Sequence, residues 1–217
     1  MNVERMNNGV SIDGYVWEDA SHHKAHGYIL PAVERLLSES ALEVEERRLF
    51  DLGCGNGSTA ARLTSCGWSV VGVDPSRQGI ERGKAAYPEL QLFFGSAYED
   101  LSSEYGQFPV VISLEVVEHV YAPRDYAATL FDLVEPGGIA IVSTPYHGYF
   151  KNLALAVSGK MDSHFTALWD HGHIKFWSEK TLRQLLTESG FSSVSFLKVG
   201  RVAPLAKSMI AVARKIG

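Results

Sequence analysis

The sequence is short of several things. It has two cysteines, Cys54 and Cys66, in 217 residues. That is too few for a disulfide framework, so a reducing compartment fits. No apolar run approaches the roughly 20 residues that a membrane span needs, and the opening MNVERMNNGV holds no apolar signal core. Positive charge is not in excess: 20 Lys and Arg stand against 25 Asp and Glu, a formal net charge of −5. General nucleic-acid binding is therefore disfavoured, because gripping a phosphate backbone usually takes a basic surplus. Internal repeats and low-complexity tracts are missing too. What is left is ordinary globular composition, 46% hydrophobic and 21% charged, which excludes a disordered or fibrous chain. The expectation is one soluble, cytoplasmic domain over residues 1–217, with no transmembrane segment.

Short β-rich runs alternate with helical patterns. Strands are predicted at Leu49–Leu52, Ser69–Val73, Leu90–Phe94, Val110–Leu114 and Ile139–Ser143. Two more, Val194–Val199 and Met209–Ala213, read as a hairpin-like end. Helices are predicted near Tyr28–Ser40, Ser58–Ser65, Ser76–Ala86, Glu115–Val120 and Asp125–Leu133, and at Ser178–Ser189, capped by Ser178 and closed by Gly190. This alternation specifies an α/β fold, a doubly wound, mostly parallel sheet covered on both faces. Two segments interrupt it. Residues 1–45 form an N-terminal cap segment whose start is rich in aromatics and histidine, including Trp17, His22 and His23. Residues 146–176, aromatic and histidine-rich, read as an inserted lid. Within the lid, the apolar stretch Phe150–Val157 fits a buried helix better than one lying on a membrane surface.

The strongest local signal is Leu49-Phe50-Asp51-Leu52-Gly53-Cys54-Gly55-Asn56-Gly57, a strand running into a bare turn. Glycine lets the backbone approach a ligand closely. Asp74 ends the next strand, 21 positions after Gly53, where an acid can accept hydrogen bonds from a ribose. A dinucleotide site would have G-x-G-x-x-G, with pyrophosphate on the helix N-terminus. Here Ser58 stands where that pattern puts its last glycine. Asp51 at the turn would repel a pyrophosphate and attract an ammonium group. Charge therefore favours S-adenosylmethionine over NAD.

These residues carry a resemblance. Asp51 to Gly57, Gly72-Val73-Asp74-Pro75-Ser76, Val116-Val117-Glu118-His119-Val120 and Leu133-Val134-Glu135-Pro136-Gly137-Gly138 resemble the class I S-adenosylmethionine-dependent methyltransferases, in the branch of the ubiquinone-pathway O-methyltransferases. The resemblance spans about Leu49 to Val212 and implies a Rossmann-like, seven-stranded sheet with an antiparallel last strand. It implies that Asp51, Gly53, Cys54, Gly55, Asn56 and Gly57 hold the methionine end, that Asp74 takes the ribose hydroxyls, and that Pro75 lines the adenosine. Ser96 and Ala97 lie beside adenine in this reading. Leu114 and Glu115 lie at the end of strand four, under the methyl group, and Trp17 closes over the cofactor. The product would be S-adenosylhomocysteine.

Glu115, Glu118 and His119 are spaced i, i+3, i+4. If a helix starts there, all three share one face. Two carboxylates and an imidazole suit Mg2+ or Mn2+, with a further ligand from His171 or His173. The arrangement is similar to the metal sites of small-RNA 3′-terminal 2′-O-methyltransferases and of the ubiquinone-pathway branch. Two other readings stay open: His119 as a metal-free general base, and acids that merely favour a helix N-terminus.

The expected activity is O-methylation of a small-molecule acceptor, a phenol, catechol or quinol, with His119 and Glu115 as catalytic residues. The alternatives are a carboxyl-, N- or C-methyltransferase without metal, an RNA 2′-O-methyltransferase, a non-catalytic cofactor-binding protein, and a nicotinamide-dependent oxidoreductase.

Overall fold

The computed structural model describes residues 26–39, 47–170 and 172–217. The expectations for Trp17, His22, His23 and His171 lie outside the described residues. Seven strands are present: β1 (Arg48–Leu52), β2 (Ser69–Asp74), β3 (Gln91–Phe94), β4 (Phe108–Leu114), β5 (Val134–Pro145), β6 (Ser193–Val199) and β7 (Ser208–Arg214). They form one sheet in the order β3-β2-β1-β4-β5-β7-β6. β1 to β5 pair in parallel, and β7 runs antiparallel between β5 and β6. The hairpin-like end and the antiparallel last strand are thus as expected.

Burial explains the strand composition. All seven residues of β4, Phe-Pro-Val-Val-Ile-Ser-Leu, are buried, as a strand covered on both faces requires. One face packs on α1 (His26–Glu39), α2 (Ser58–Ser65) and α3 (Arg77–Ala86) through Ile29, Val33, Leu63 and Ile80. The other packs on α4 (Leu101–Tyr105), α5 (Pro123–Leu133) and α8 (Glu179–Glu188) through Leu101, Tyr126, Leu130 and Leu182. Strand order reverses between β1 and β4, and the carboxyl ends of these two strands open the crevice where such sheets bind ligands.

Local sequence sets the element ends. The Ser76 hydroxyl accepts from the Gly79 amide at 3.1 Å and so starts α3. Ser178 and Thr181 form a reciprocal capping box at α8, and Gly190 follows that helix at φ 115°. The glycine turn expected ahead of strand five lies inside β5. There the register against β4 shifts, with Phe108 opposite Val134 and Val110 opposite Ile139.

Two expectations fail. Residues 115–120 form turns, not a helix. Glu115 has φ 57°, which starts no right-handed helix, and the Glu118 carbonyl accepts the Ile174 and Lys175 amides, both at 2.9 Å. The lid stretch is helical, as α6 (Tyr149–Val157) with α7 (Met161–Phe165) after it, but no residue of α6 is buried. Tyr149 is 75% and Phe150 67% exposed, because α6 leans on α7 and a short 3₁₀ turn at Ala203–Leu205 instead of on the core. Among the described residues, no helix is long and apolar enough to cross a membrane.

Candidate active site

The turn after β1 is built on backbone bonds to β2. The Gly53 and Cys54 amides both donate to the Val73 carbonyl, at 2.8 and 3.1 Å. The Asp74 carboxylate then braces the turn, accepting from the Gly55 amide through one oxygen and from the Ser76 amide through the other, both at 2.8 Å. Each carboxylate oxygen has two acceptor positions, so this bracing leaves capacity for ligand hydroxyls.

Glycine is required at Gly53 and Gly57 for two reasons at once. Their φ values are 89° and 74°, and an added Cβ would lie 2.4 Å from Val116 Cγ2 and 2.6 Å from Leu92 Cδ1 respectively. Gly53→Ala should therefore destabilise the fold by about 2–4 kcal/mol, combining left-handed strain with a core clash. Urea denaturation measures it, and a second substitution, Val116→Ala, should recover the clash component only.

Asp51 is 2% exposed, and one of its oxygens has no hydrogen-bond partner. Burial, and then the charge of Asp74, push its pKa up to about 8. A carboxyl this poorly solvated calls for a cationic partner. Cys54 is buried beside it, and burial with the two aspartates drives its thiol well above the ordinary value, so it is no nucleophile at neutral pH.

A cavity of about 1370 Å³ opens over these residues, larger than the roughly 300–1,000 Å³ of a usual single-ligand pocket. Asp51, Gly53, Cys54, Asp74, Pro75, Leu114, Glu115, Glu118, His119 and His173 all line it. Gly55, Asn56, Gly57, Ser96 and Ala97 do not. Asn56 is buried, and the Ser96 amide is held by the Glu99 carboxylate at 3.0 Å. Tyr98 faces the cavity at that level instead, its hydroxyl accepting from the Tyr121 and Ala122 amides at 2.8 and 3.2 Å.

Beyond β4 the three predicted acids and bases separate. Glu115 turns toward β5: Ser143 Oγ donates to its Oε1 at 2.9 Å. Burial raises its pKa to about 7, against the opposing pull of the Ser143 and Ser208 hydroxyls and of Lys151. Ser143 ends an otherwise apolar run, Ile139 to Val142, and that was the signal for a polar partner here.

Glu118, His119 and His173 come together, with one ligand-type atom from each within 4.8 Å of the others. Glu115 is not in that group, which corrects the shared-face expectation: without a helix, the i, i+3, i+4 spacing does not align the side chains. His173 is brought in by the Ile174 and Lys175 amides on the Glu118 carbonyl and by Trp177 Nε1 donating to the Val117 carbonyl at 3.0 Å. His173 Nε2 lies 3.9 Å from Glu118 Oε1. His119 Nδ1 is 3.2 Å from the Gly172 carbonyl. A carbonyl only accepts, so Nδ1 carries the hydrogen in that contact and Nε2 the lone pair. Trp169 stands edge-on to both imidazoles.

Glu118 is 1% exposed, and neither carboxylate oxygen has a hydrogen-bond partner. Burial and the nearby Glu115 hold its carboxyl well above the usual carboxylate range. A buried carboxylate without partners is costly unless a cation neutralises it. Glu118, His119 and His173 thus fit a divalent cation by donor chemistry, with a backbone carbonyl fixing one imidazole from behind.

A seven-stranded sheet of this order, with a bare turn after β1 and an acid ending β2, defines the class I methyltransferase fold. The comparisons with known proteins agree. The profile of a family described as a methyltransferase domain matches residues 21–195. The ubiquinone biosynthesis O-methyltransferase of Roseobacter denitrificans is 30% identical over 150 residues, 68% of this chain and 60% of that protein. The protein of the same name from a Caulobacter species is 37% identical over 119 residues, 53% of this chain and 47% of that protein. The chain thus spans about half to three fifths of the curated relatives it matches. Among solved structures, magnesium protoporphyrin IX methyltransferase from Synechocystis PCC 6803, with bound SAH, superposes with a TM-score of 0.62 at 21% identity, covering 86% of this chain and 81% of that one. The chain belongs to the methyltransferase domain family, within the class I, S-adenosylmethionine-dependent methyltransferases.

Proposed function

We propose that the protein is an O-methyltransferase for a hydroxylated small molecule, a phenol, catechol or quinol, and that Glu118, His119 and His173 hold Mg2+ or Mn2+ for it. The observation that carries this reading is the buried Glu118 carboxylate, which accepts no hydrogen bond of ordinary geometry and is flanked by two imidazoles in the cavity that the Asp51 turn also lines. The names of the relatives from Roseobacter denitrificans and Caulobacter support the O-methyl part.

In this reading the Asp51 carboxylate takes the ammonium of the methionine portion, and Asp74 takes the ribose hydroxyls. S-adenosylmethionine supplies a methyl group already activated on a sulfonium, so alignment is most of what the protein must provide, worth up to about 7–11 kcal/mol. The acceptor oxygen forms the new C–O bond as the C–S bond breaks, and that electron pair stays on sulfur. The hydroxyl proton leaves to a carboxylate oxygen of Glu115, which Ser143 holds in place at the cavity wall. A divalent cation at the Glu118 group would lower the pKa of a bound hydroxyl and orient it. Residues 146–176 act as the lid that excludes water, in one methyltransferase unit.

The test is S-adenosylhomocysteine release from a panel of catechols and quinols, with and without EDTA. Turnover that EDTA abolishes and Mg2+ or Mn2+ restores is expected. Full turnover in EDTA would turn the reading to His119 as a metal-free base. Cofactor binding with no turnover on any acceptor would overturn the enzyme assignment.

A further inference from the structure

The cavity is electrically divided. Asp51, Asp74 and Glu118 line it from the glycine turn and from the segment after β4. Lys151 of α6 meets Arg201 and Lys207 from the segment joining β6 to β7, and all three line the same cavity. None of the three makes an ion pair with any described carboxylate. Lys151 Nζ donates to the Lys207 carbonyl at 3.4 Å, and Lys207 Nζ lies 5.2 Å from the Tyr28 ring centre. The nearest acid on that side, Glu115, is engaged by serine hydroxyls.

The basic cluster lies close to the acids beyond β4. Glu115, Arg201 and Glu118 all act electrostatically on the Tyr28 hydroxyl, which is 3.2 Å from Ser208 Oγ. Lys151 acts in turn on Glu115. Three cations sharing a partly enclosed space repel one another. Burial, and then the Arg201 charge, push the Lys151 pKa down to about 8. This is a concentration of positive charge in a chain whose formal net charge is −5. The methyl donor carries one anion, its α-carboxylate, on the same carbon as the ammonium that the proposed reading places on Asp51, so in that reading the carboxylate stays with the Asp51 turn and the cluster is left for the acceptor.

We infer that Lys151, Arg201 and Lys207 form a subsite for an acidic substituent, a carboxylate or a phosphate, on the methyl acceptor. The inference rests on the proposed O-methyltransferase reading and narrows its substrate class to hydroxylated aromatics that carry a negative charge. Such an acceptor would lie across the cavity with its hydroxyl toward Glu115 and its anion toward Lys151 and Arg201. Arg201 lies in the exposed segment before β7, so its replacement leaves the core untouched.

Calorimetry on the full chain tests this. S-adenosylhomocysteine is titrated first. The saturated protein then receives 3,4-dihydroxybenzoate, its methyl ester, or a catechol bearing a phosphate monoester on its side chain. The acid should bind at least about tenfold more tightly than the ester, the low end of what a charge-assisted hydrogen bond supplies. That preference should collapse toward unity in Lys151→Met and Arg201→Met, and persist in Arg201→Lys. The phosphate arm identifies which anion is preferred, and tight binding by either supports the subsite. Equal binding of the acid, the ester and the phosphate monoester overturns it, as does a preference that survives both Met variants. Absence of heat with S-adenosylhomocysteine overturns the methyltransferase reading and the subsite together. Heat with S-adenosylhomocysteine but no preference for the anion overturns the subsite alone.

Discussion

Asp51→Asn should weaken S-adenosylhomocysteine binding by a factor of about 100 or more, while making the ligand-free chain more stable at pH 8. The affinity loss follows from burial: leaving one member of a buried charge pair without the other costs about 3–5 kcal/mol, and each 1.4 kcal/mol is tenfold. The stability gain follows from linkage. In the folded, ligand-free chain the Asp51 pKa is raised from 3.8 to about 8. Its protonated form is therefore favoured by folding. That contribution is complete below about pH 4 and is lost as pH climbs through the folded pKa. Between pH 5 and pH 8 the loss is about 2–4 kcal/mol. The variant is neutral throughout and escapes it. Thermal melts at the two pH values should show the gap between variant and parent widening as pH rises. Glu115, raised to about 7, adds a slope of the same sign in both proteins, so the slope shrinks in the variant without vanishing. Binding of the donor product should also release a proton from Asp51 below pH 8, which calorimetry in buffers of different ionisation enthalpy measures directly.

Glu118→Gln should reduce metal-dependent turnover by a factor of about 100 or more, since even the supports behind metal ligands are worth about 10–100-fold. The isosteric amide keeps the shape of the site, so the loss reports charge. The metal-free variant should be at least as stable as its parent at pH 8, because it no longer carries a buried acid whose oxygens accept no hydrogen bond. Addition of Mn2+ should raise the melting temperature of the parent and leave that of the variant unchanged. At a concentration about 100 times the dissociation constant, the parent should gain about 2.7 kcal/mol. An equal gain in both proteins would remove Glu118 from the metal reading.

The sheet and the turn after β1 were legible because their causes are local. Apolar runs such as Val110 to Leu114 have one stable use, a strand buried on both faces. The bare turn and Asp74 are joined through a parallel β1–β2 pair whose register sets Asp51 beside Gly72. The segment after β3 was less legible: Ser96 and Ala97 were expected at the cavity wall, while Tyr98 lines it. The arrangement beyond β4 depended on long-range events. Glu115 in a left-handed conformation is not something glutamate favours. It is held by its amide donating to the Ser143 carbonyl and hydroxyl, at 3.1 and 3.0 Å. His173 is brought beside Glu118 by amides that seek the Glu118 carbonyl from more than fifty residues away. The cationic end draws on α6 and on the segment before β7, and no spacing rule links those positions.

In the proposed reading, donor and acceptor contacts ride on different parts of the chain. Asp51 and Asp74 sit on β1 and β2, inside the parallel part of the sheet. Lys151 and Arg201 sit on peripheral segments that contribute no buried residue to either core cluster. Substrate preference can therefore drift among descendants of this chain at little thermodynamic penalty, while the chemistry they share is anchored in the part least free to vary.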